Sequence, residues 1–206
     1  MMKANDDEWL KNYVRNTRGR MFKSDFFEFF SKVHPATPFV FWIPLATAIL
    51  GYGLYNGITR WQVTVPMLVV GFFSWQFLEY FIHRDVFHLF PGPTAHGFHH
   101  KYPDDDTRLV MPLTVSIGLA TLIGGGLYLV GQHQFTLPYW AGLVYGYLWY
   151  DFMHWSTHHR KPLTAWGKKL RDHHMAHHFA DPHKNFGLSH MWMDRLLGTD
   201  NKREKK

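Results

Sequence analysis

The sequence predicts an all-α integral membrane protein with about four transmembrane helices and a helical cap on the cytoplasmic side. Three observations predict it: long apolar stretches, an uneven distribution of basic residues around them, and a polar, histidine-rich C-terminal third. Each stretch is close to the ~20 residues that a helix needs to cross a ~30 Å hydrocarbon core. The stretches are residues 39–58, 63–82, 109–130 and 136–153.

The fourth stretch is the least secure of the predicted spans. Taken alone, it also fits a buried helix of a soluble protein, because it is short and rich in glycine. Four such stretches in a chain of 206 residues nevertheless favour membrane insertion. The mean hydropathy of -0.25 looks low for a membrane protein, but 16 histidines and the charged C-terminal third lower the average.

Basic residues predict the orientation of the spans. Lysine and arginine gather before the first stretch, between the second and third, and after the fourth. The short connections at 59–62 and 131–135 hold only Arg60 and His133 as basic residues. The positive-inside rule therefore places the N-terminus, the middle segment and the C-terminus on the cytoplasmic side.

The length suits one domain. We expect a cytoplasmic N-terminal segment at 1–38, a membrane domain at 39–199 and a solvated basic tail at 200–206. The first 32 residues mix acids and bases and lack the pattern of a signal peptide. Residues 154–194 carry too many histidines and charges to enter a bilayer, so they are predicted to form the short helices of the cap.

Composition excludes several classes of site and partner. The chain has no cysteine, which excludes disulfides, thiolate-held iron–sulfur clusters, thiolate-ligated haem and cysteine zinc sites. Any metal must therefore bind nitrogen and oxygen. The net charge is +6, the basic residues flank the apolar spans, and the chain has no nucleic-acid motif. The expected partner is therefore an anionic membrane surface and not nucleic acid.

Eleven histidines fall into four tightly spaced groups that predict a metal centre. In a helix, positions i, i+3 and i+4 share a face, so two of the groups should each form a patch of three nitrogens. Neutral imidazole suits iron, zinc and copper, and two ions need about this many nitrogens. The predicted topology brings all four groups to the cytoplasmic face. They are His83 and His88; His96, His99 and His100; His154, His158 and His159; His174, His177 and His178.

Other histidines and two acids have less specific interpretations. His34, His133, His183 and His190 fit ordinary surface or core positions. Glu79 and Asp151 lie one turn before a grouped histidine, where a carboxylate fits either of two roles. Each acid could fix the tautomer of an imidazole or reach the lipid headgroups from a helix end.

Longer motifs from 79 to 199 resemble the fatty acid hydroxylase superfamily, the histidine-box membrane di-iron oxygenases that include sterol desaturases. Within it, the resemblance is closest to fatty acid 2-hydroxylases. A box of the HGxHH kind followed by KYPDDDTRLVMP is far more specific than histidine spacing alone. The motifs are EYFIHRDVFH at 79–88, AHGFHHKYPDDDTRLVMP at 95–112, YDFMHWSTHH at 150–159 and HHMAHHFADPHKNFGLSHMWMDRLLGT at 173–199.

The resemblance implies a set of metal ligands. His159 and His173 stand beside the core positions, where relatives vary; we include His159 among the candidates and leave His173 out. We expect no catalytic residue separate from the ligands. The ligands carried over are His83, His88, His96, His99, His100, His154, His158, His174, His177 and His178.

The resemblance also implies the reaction. We expect a lipid hydroxylase that inserts one oxygen atom of dioxygen into an acyl C–H bond at the 2-position. It would use two metal ions, expected to be iron with zinc as an alternative occupant of purified protein, together with external electrons. Several relatives carry an N-terminal haem domain, for which residues 1–38 are too short. A separate cytochrome, or a ferredoxin with its reductase, is therefore the expected electron donor.

Three alternatives stay open. A desaturase, or a sterol- or carotenoid-modifying oxygenase of the same superfamily, would use the same metals. A metal transporter would need ionisable groups near mid-span, whereas these histidines follow the spans. A membrane haem cytochrome would need only axial histidine pairs.

Overall fold

The computed structural model describes residues 12–88 and 94–201, and the part of the chain it describes is helical without strands. The predicted all-α class is confirmed. The ends of the predicted N-terminal segment and basic tail, 1–11 and 202–206, lie outside the described residues. The helices are α1 (Asp25–Ser31), α2 (Thr37–Tyr55), α3 (Trp61–Phe81), α4 (Ala95–Lys101), α5 (Leu113–Val130), α6 (His133–His159), α7 (Ala165–Phe179) and α8 (Trp192–Leu197).

Two short elements extend these helices. A π-helical segment, Ile82–Phe87, continues α3, and a 3-10 turn, Asp106–Arg108, lies before α5. Among the described residues, three segments are long and apolar enough to cross a membrane: Thr37–Tyr55, Trp61–Phe87 and Asp106–Val130. They correspond to the first three predicted spans. Large apolar side chains on them face outward, as lipid-exposed side chains do: Leu122 is 74% exposed and Leu129 is 87% exposed.

The fourth predicted span lies within α6, which is too polar to count among these candidates. Thirteen of its 27 residues are buried, whereas α5 buries only Ser116. α6 is the central helix and packs against α2, α3 and α5. Because its neighbours cover it, α6 can carry Asp151, a carboxylate that would be costly to expose to lipid. Four crossings therefore stay a prediction.

Glycines let α3 and α6 approach closely. A Cβ built on Gly142 would lie 2.4 Å from the carbonyl oxygen of Leu68, and one on Gly71 would lie 2.2 Å from that of Tyr139. Small residues at such crossings allow backbones to pack tightly in membranes. The contact aligns the two helices and holds the C-terminal end of α6 beside the end of α3.

The shorter helices α4, α7 and α8, which follow α3 and α6 in the chain, are called the cap below. Thr94 and Thr164 cap α4 and α7, since each hydroxyl accepts a hydrogen bond from a backbone N–H at the third position of its helix. These caps fix the starts of the two short helices that carry six of the grouped histidines.

The N-terminal segment is attached to the cap. Val14 donates its backbone N–H to the Lys101 carbonyl, at 2.7 Å. Arg108 is buried and binds Glu28 at 2.6 Å and the Gly19 carbonyl at 3.1 Å. Burial opposes ionisation of Glu28, but hydrogen bonds from the backbone of Phe22 and of Met21, with the nearby cations, lower its pKa to about 2. The ionised pair ties α1 to the cap.

Candidate metal centre

The structure gathers ten histidines into two adjacent groups of five. Within each group, one nitrogen of every imidazole lies within 4.8 Å of the others. The rings of His100 and His178, one from each group, stack at 4.3 Å. The first histidine group is His83, His88, His96, His100 and His177; the second histidine group is His99, His154, His158, His174 and His178.

The π-helical segment explains how His83 and His88 meet. Residues five apart diverge on an α-helix, but π-helical i→i+5 bonding brings them to one side. The His88 N–H donates to the His83 carbonyl at 3.2 Å, and their Nε2 atoms also lie 3.2 Å apart. Sequence reasoning grouped these residues without finding this segment, because its residues have no distinctive pattern.

The two predicted three-nitrogen patches are each shared between the groups, which corrects the sequence interpretation. On α4, His96 and His100 enter the first group while His99 enters the second. On α7 the division is reversed: the i, i+4 pair enters the second group and His177 enters the first. The i, i+4 pair projects in nearly one direction and the i+3 residue projects to its side, so each helix can serve two ions.

The nitrogen geometry fits metal ions. Neighbouring Nε2 atoms within the groups lie 2.8–3.2 Å apart. Two ligands on bonds of ~2.1 Å at a right angle stand about 3 Å apart, which is the same spacing. Neutral imidazoles at this spacing turn lone pairs toward each other, and a cation bound by each group would satisfy them.

The electrostatics favour the neutral form that binds metals. Burial and the charges of neighbouring histidines lower the pKa of His99, His174 and His178 well below the usual value. An imidazole can bind a metal only through a nitrogen that carries no proton, and a lowered pKa favours this neutral form. All the donors are nitrogen, which suits iron, zinc and copper.

Backbone carbonyls orient two ligands of the first group. His83 donates its Nδ1–H to the Phe186 carbonyl at 2.6 Å, and His177 donates to the Lys184 carbonyl at 2.7 Å. A carbonyl can only accept, so the proton is on Nδ1 and Nε2 keeps its lone pair for an ion. The turn at 184–187 therefore fixes the tautomer of both ligands.

Asp194 holds that turn in place. Its carboxylate accepts hydrogen bonds from the backbone N–H of Phe186 and of Gly187, both at 2.8 Å. His173 donates to it at 2.9 Å and the Thr199 hydroxyl at 2.7 Å. Burial opposes ionisation, but these bonds lower the pKa of Asp194. His173, left out of the predicted ligands, thus supports the centre through Asp194.

Glu79 has a different role from either that the sequence suggested. It accepts hydrogen bonds from the Ser189 backbone at 2.9 Å and hydroxyl at 2.8 Å, and so anchors the C-terminal segment. Its carboxylate also lies 3.5 Å from Nε2 of His190. Asp151 is fully buried on α6 and does not reach the headgroups as a helix-end charge would.

His159 lies apart from both groups, unlike the other ten candidates. It is exposed on the last turn of α6, with its ring 6.0 Å from that of Trp155. The four histidines interpreted as ordinary, His34, His133, His183 and His190, also lie outside the groups.

An apolar cavity of about 380 Å³ adjoins the histidines. His96, His99, His154 and Arg108 are its polar lining residues. Much of its lining comes from the π-helical segment and from residues 108–119. Apolar lining residues include Ile82, Phe87, Leu109, Met111, Val115 and Tyr150.

Comparisons with known proteins agree with this architecture. The family model for fatty acid hydroxylases matches residues 68–199. A dihydroceramide fatty acyl 2-hydroxylase of Arabidopsis thaliana is 34% identical over 203 residues, covering 94% of this chain and 85% of the relative. The fatty acid 2-hydroxylase of Homo sapiens is 32% identical over 228 residues, covering 94% of this chain and 59% of the relative.

A solved structure is also similar. It is described as full-length scs7p with only the hydroxylase domain visible. It superposes with a TM-score of 0.80 at 28% identity, covering 87% of this chain and 71% of that chain.

Proposed function

The chain belongs to the fatty acid hydroxylase family, and we propose that it is a membrane fatty acyl 2-hydroxylase whose two histidine groups each hold a metal ion. It is an oxidoreductase of the monooxygenase type, and its helices are those of a multi-pass membrane protein. The observation that carries the proposal is the placement of two five-nitrogen groups at the end of an apolar cavity.

The residues divide the chemical work. When bound, the ions supply the reductive activation of dioxygen, which side chains alone do not perform. The ten imidazoles hold them on helix ends, and the carbonyls of Lys184 and Phe186 keep two imidazoles in the ligating tautomer. The overall balance is one acyl C–H, dioxygen, two electrons and two protons giving one hydroxyl and one water.

The cavity accounts for an acyl substrate. Its lining is mostly apolar, so an alkyl chain that enters gains the free energy of burial there. An acyl chain in the cavity would lie beside His96, His99 and His154. A free acid, a thioester or the amide of a sphingolipid-like base each presents the same methylene next to a carbonyl.

Iron is the metal we propose for the reaction, since reductive dioxygen chemistry requires a redox-active ion and nitrogen ligands suit iron. Zinc fits the same donors. We also propose a separate cytochrome or ferredoxin as the electron donor. We propose that the metal centre lies on the cytoplasmic side, and the distribution of basic residues around the spans supports this orientation.

Mass spectrometry of lipids tests the proposal. Cells with and without the protein are grown under oxygen-18 dioxygen, and their acyl chains are fragmented. A hydroxyl carrying oxygen-18 at the carbon next to the carbonyl supports the proposal. Loss of two hydrogens without oxygen would instead assign the chain to desaturation, and labelled sterols or carotenoids would change the substrate class.

A further inference from the structure

Helix α1 exposes four phenylalanines together. Phe26, Phe27, Phe29 and Phe30 are 67%, 58%, 74% and 53% exposed, and we call them the Phe face. Their rings form a continuous surface, with centroids 5.0 Å apart for Phe26 and Phe30 and 5.4 Å apart for Phe29 and Phe30. A contiguous apolar patch of this kind marks a site of contact with a lipid surface or another protein.

The direction of the Phe face is fixed by its opposite side. Glu28, between the phenylalanines, turns inward and is only 5% exposed. It accepts hydrogen bonds from the backbone of Met21 and of Phe22 and binds Arg108. The buried ion pair therefore presents the phenylalanines outward, on the side of the molecule that carries the metal centre.

The surroundings of α1 match the headgroup region of a bilayer. The first span, α2, begins at Thr37, so the six intervening steps keep α1 within about 20 Å of the membrane. Basic residues at positions 20, 23 and 32 flank the Phe face, as basic side chains flank interfacial helices. Aromatic rings prefer this depth, where one side is apolar and the other wet.

A second cavity adjoins both the Phe face and the cavity beside the histidines. Its volume is about 250 Å³, and Phe27 and Phe30 line it opposite Val115. It shares residues with the cavity beside the histidines, including Arg108, Val110 and Val115. The start of α5 is thus a wall common to both cavities.

We propose that the Phe face lies in the boundary between headgroups and acyl chains of the bilayer, and that acyl chains enter the enzyme between α1 and the start of α5. The membrane contact is argued from α1, its flanking basic residues and its short distance from the first span. The entry route rests additionally on the proposed function. The occupant of the Phe face is therefore a lipid surface.

The absence of native cysteine makes the depth of α1 directly measurable. Phe29→Cys is labelled with a nitroxide in vesicles of phosphatidylcholine and phosphatidylglycerol. Collision with oxygen and with a water-soluble nickel chelate gives the depth. Leu122→Cys, on a lipid-exposed span, and Leu163→Cys, 98% exposed in the cap, serve as references.

We expect the Phe29 label about 5–10 Å below the headgroup surface, between the two references. A label as open to the nickel chelate as that at Leu163 would overturn the membrane contact. A label shielded from both reagents would also overturn it, because it would indicate a protein partner or a second copy of the chain.

Kinetics test the entry route separately. Phe29→Ser should raise the KM for acyl chains held in vesicles by about fivefold to tenfold, because the helix loses its membrane contact. Leu163→Ser should leave KM and kcat unchanged. A Phe29→Ser variant with unchanged KM would overturn the entry route. No hydroxylation even by the parent protein would instead reject the proposed function and leave the depth result standing.

Discussion

On both α4 and α7, the i, i+4 histidine pair sends both Nε2 atoms into one group, and the histidine at i+3 enters the other. On α4, His96 and His100 serve the first group and His99 the second; on α7, His177 alone serves the first. Each of these helices would therefore supply ligands to both of the proposed ions. The arrangement makes single substitutions selective, because each histidine belongs to one group only.

Removing one histidine from each group gives the first prediction. His177→Ala should release the ion of the first group, and His99→Ala the ion of the second, with activity falling more than about 100-fold in both. Membrane insertion should persist, since neither residue lies in a span. Metal content per chain and hydroxylation measured on the same samples check this.

His159→Ala is the matched control, because it changes the same residue type on the turn that carries His158. We expect it to retain both ions and most of the activity. The ligand assignment fails if His177→Ala or His99→Ala keeps both ions and full activity.

Asp194 gives a prediction about an indirect support. Asp194→Asn replaces one acceptor oxygen by an NH₂ that faces backbone donors, so the turn at 184–187 should loosen. His83 and His177, both in the first group, lose their fixed orientation. The affinity for one of the two ions should fall about 10–100-fold, measured by competition with a chelator.

Asp172→Asn controls for loss of a carboxylate, because Asp172 pairs with exposed Lys168 at the surface of α7. It should leave both ions bound. Equal weakening of both ions by Asp194→Asn would indicate a general defect of folding and contradict the positioning role.

At this scale the sequence predicted much of the centre. The resemblance supplied all ten grouped histidines, and α-helical spacing supplied the i, i+4 pairs. The sequence did not show which histidines belong to which group, because that depends on how α4 and α7 face each other. The roles of Asp194 and His173 depend on contacts 21 residues apart and follow from no local pattern.

At the scale of elements, the contact between α3 and α6 aligns the halves of the centre. His83 follows α3, and His154 lies near the end of α6. Gly142 permits this approach, since a Cβ there would meet the backbone of Leu68. Apolar length predicted both helices, but their order of burial came only from the three-dimensional packing of α6 among α2, α3 and α5.

Gly142→Val should therefore push the two helices apart. We expect it to lower the free energy of unfolding by at least about 1–3 kcal/mol and to weaken metal binding. Gly118→Val, on α5 with no atom within 4 Å of the added Cβ, should change it by less than about 0.5 kcal/mol. The free energies of unfolding of both variants, measured in the same detergent, test this prediction. Equal effects of the two substitutions would contradict the close approach of α3 and α6.

At the scale of the whole molecule, the number of crossings depends on α6. Its 27 residues span about 40 Å, which is enough to cross, and its polar residues are explained by burial. Sequence periodicity could not decide this, because a helix covered by neighbours does not resemble a lipid-exposed one. The side of the membrane on which each connection of α6 is accessible can decide whether α6 crosses.

Single cysteines test the topology. With four crossings, Tyr55→Cys and Gln132→Cys should react with an impermeant maleimide from outside intact cells. Leu163→Cys should react only after permeabilisation. All three positions are exposed. Reaction of Gln132→Cys and Leu163→Cys from the same side would show that α6 does not cross.

The proposed reaction adds one oxygen atom at the carbon next to an acyl carbonyl, with the two histidine groups as the sites that would hold the metal ions. In the most direct test, the iron-loaded protein in vesicles receives dioxygen, an electron donor and an acyl chain that carries two deuterium atoms at that carbon. The account predicts a hydroxylated product that retains one deuterium. A hydroxylated product that retains both deuteriums, or a product that loses one without gaining oxygen, would contradict it.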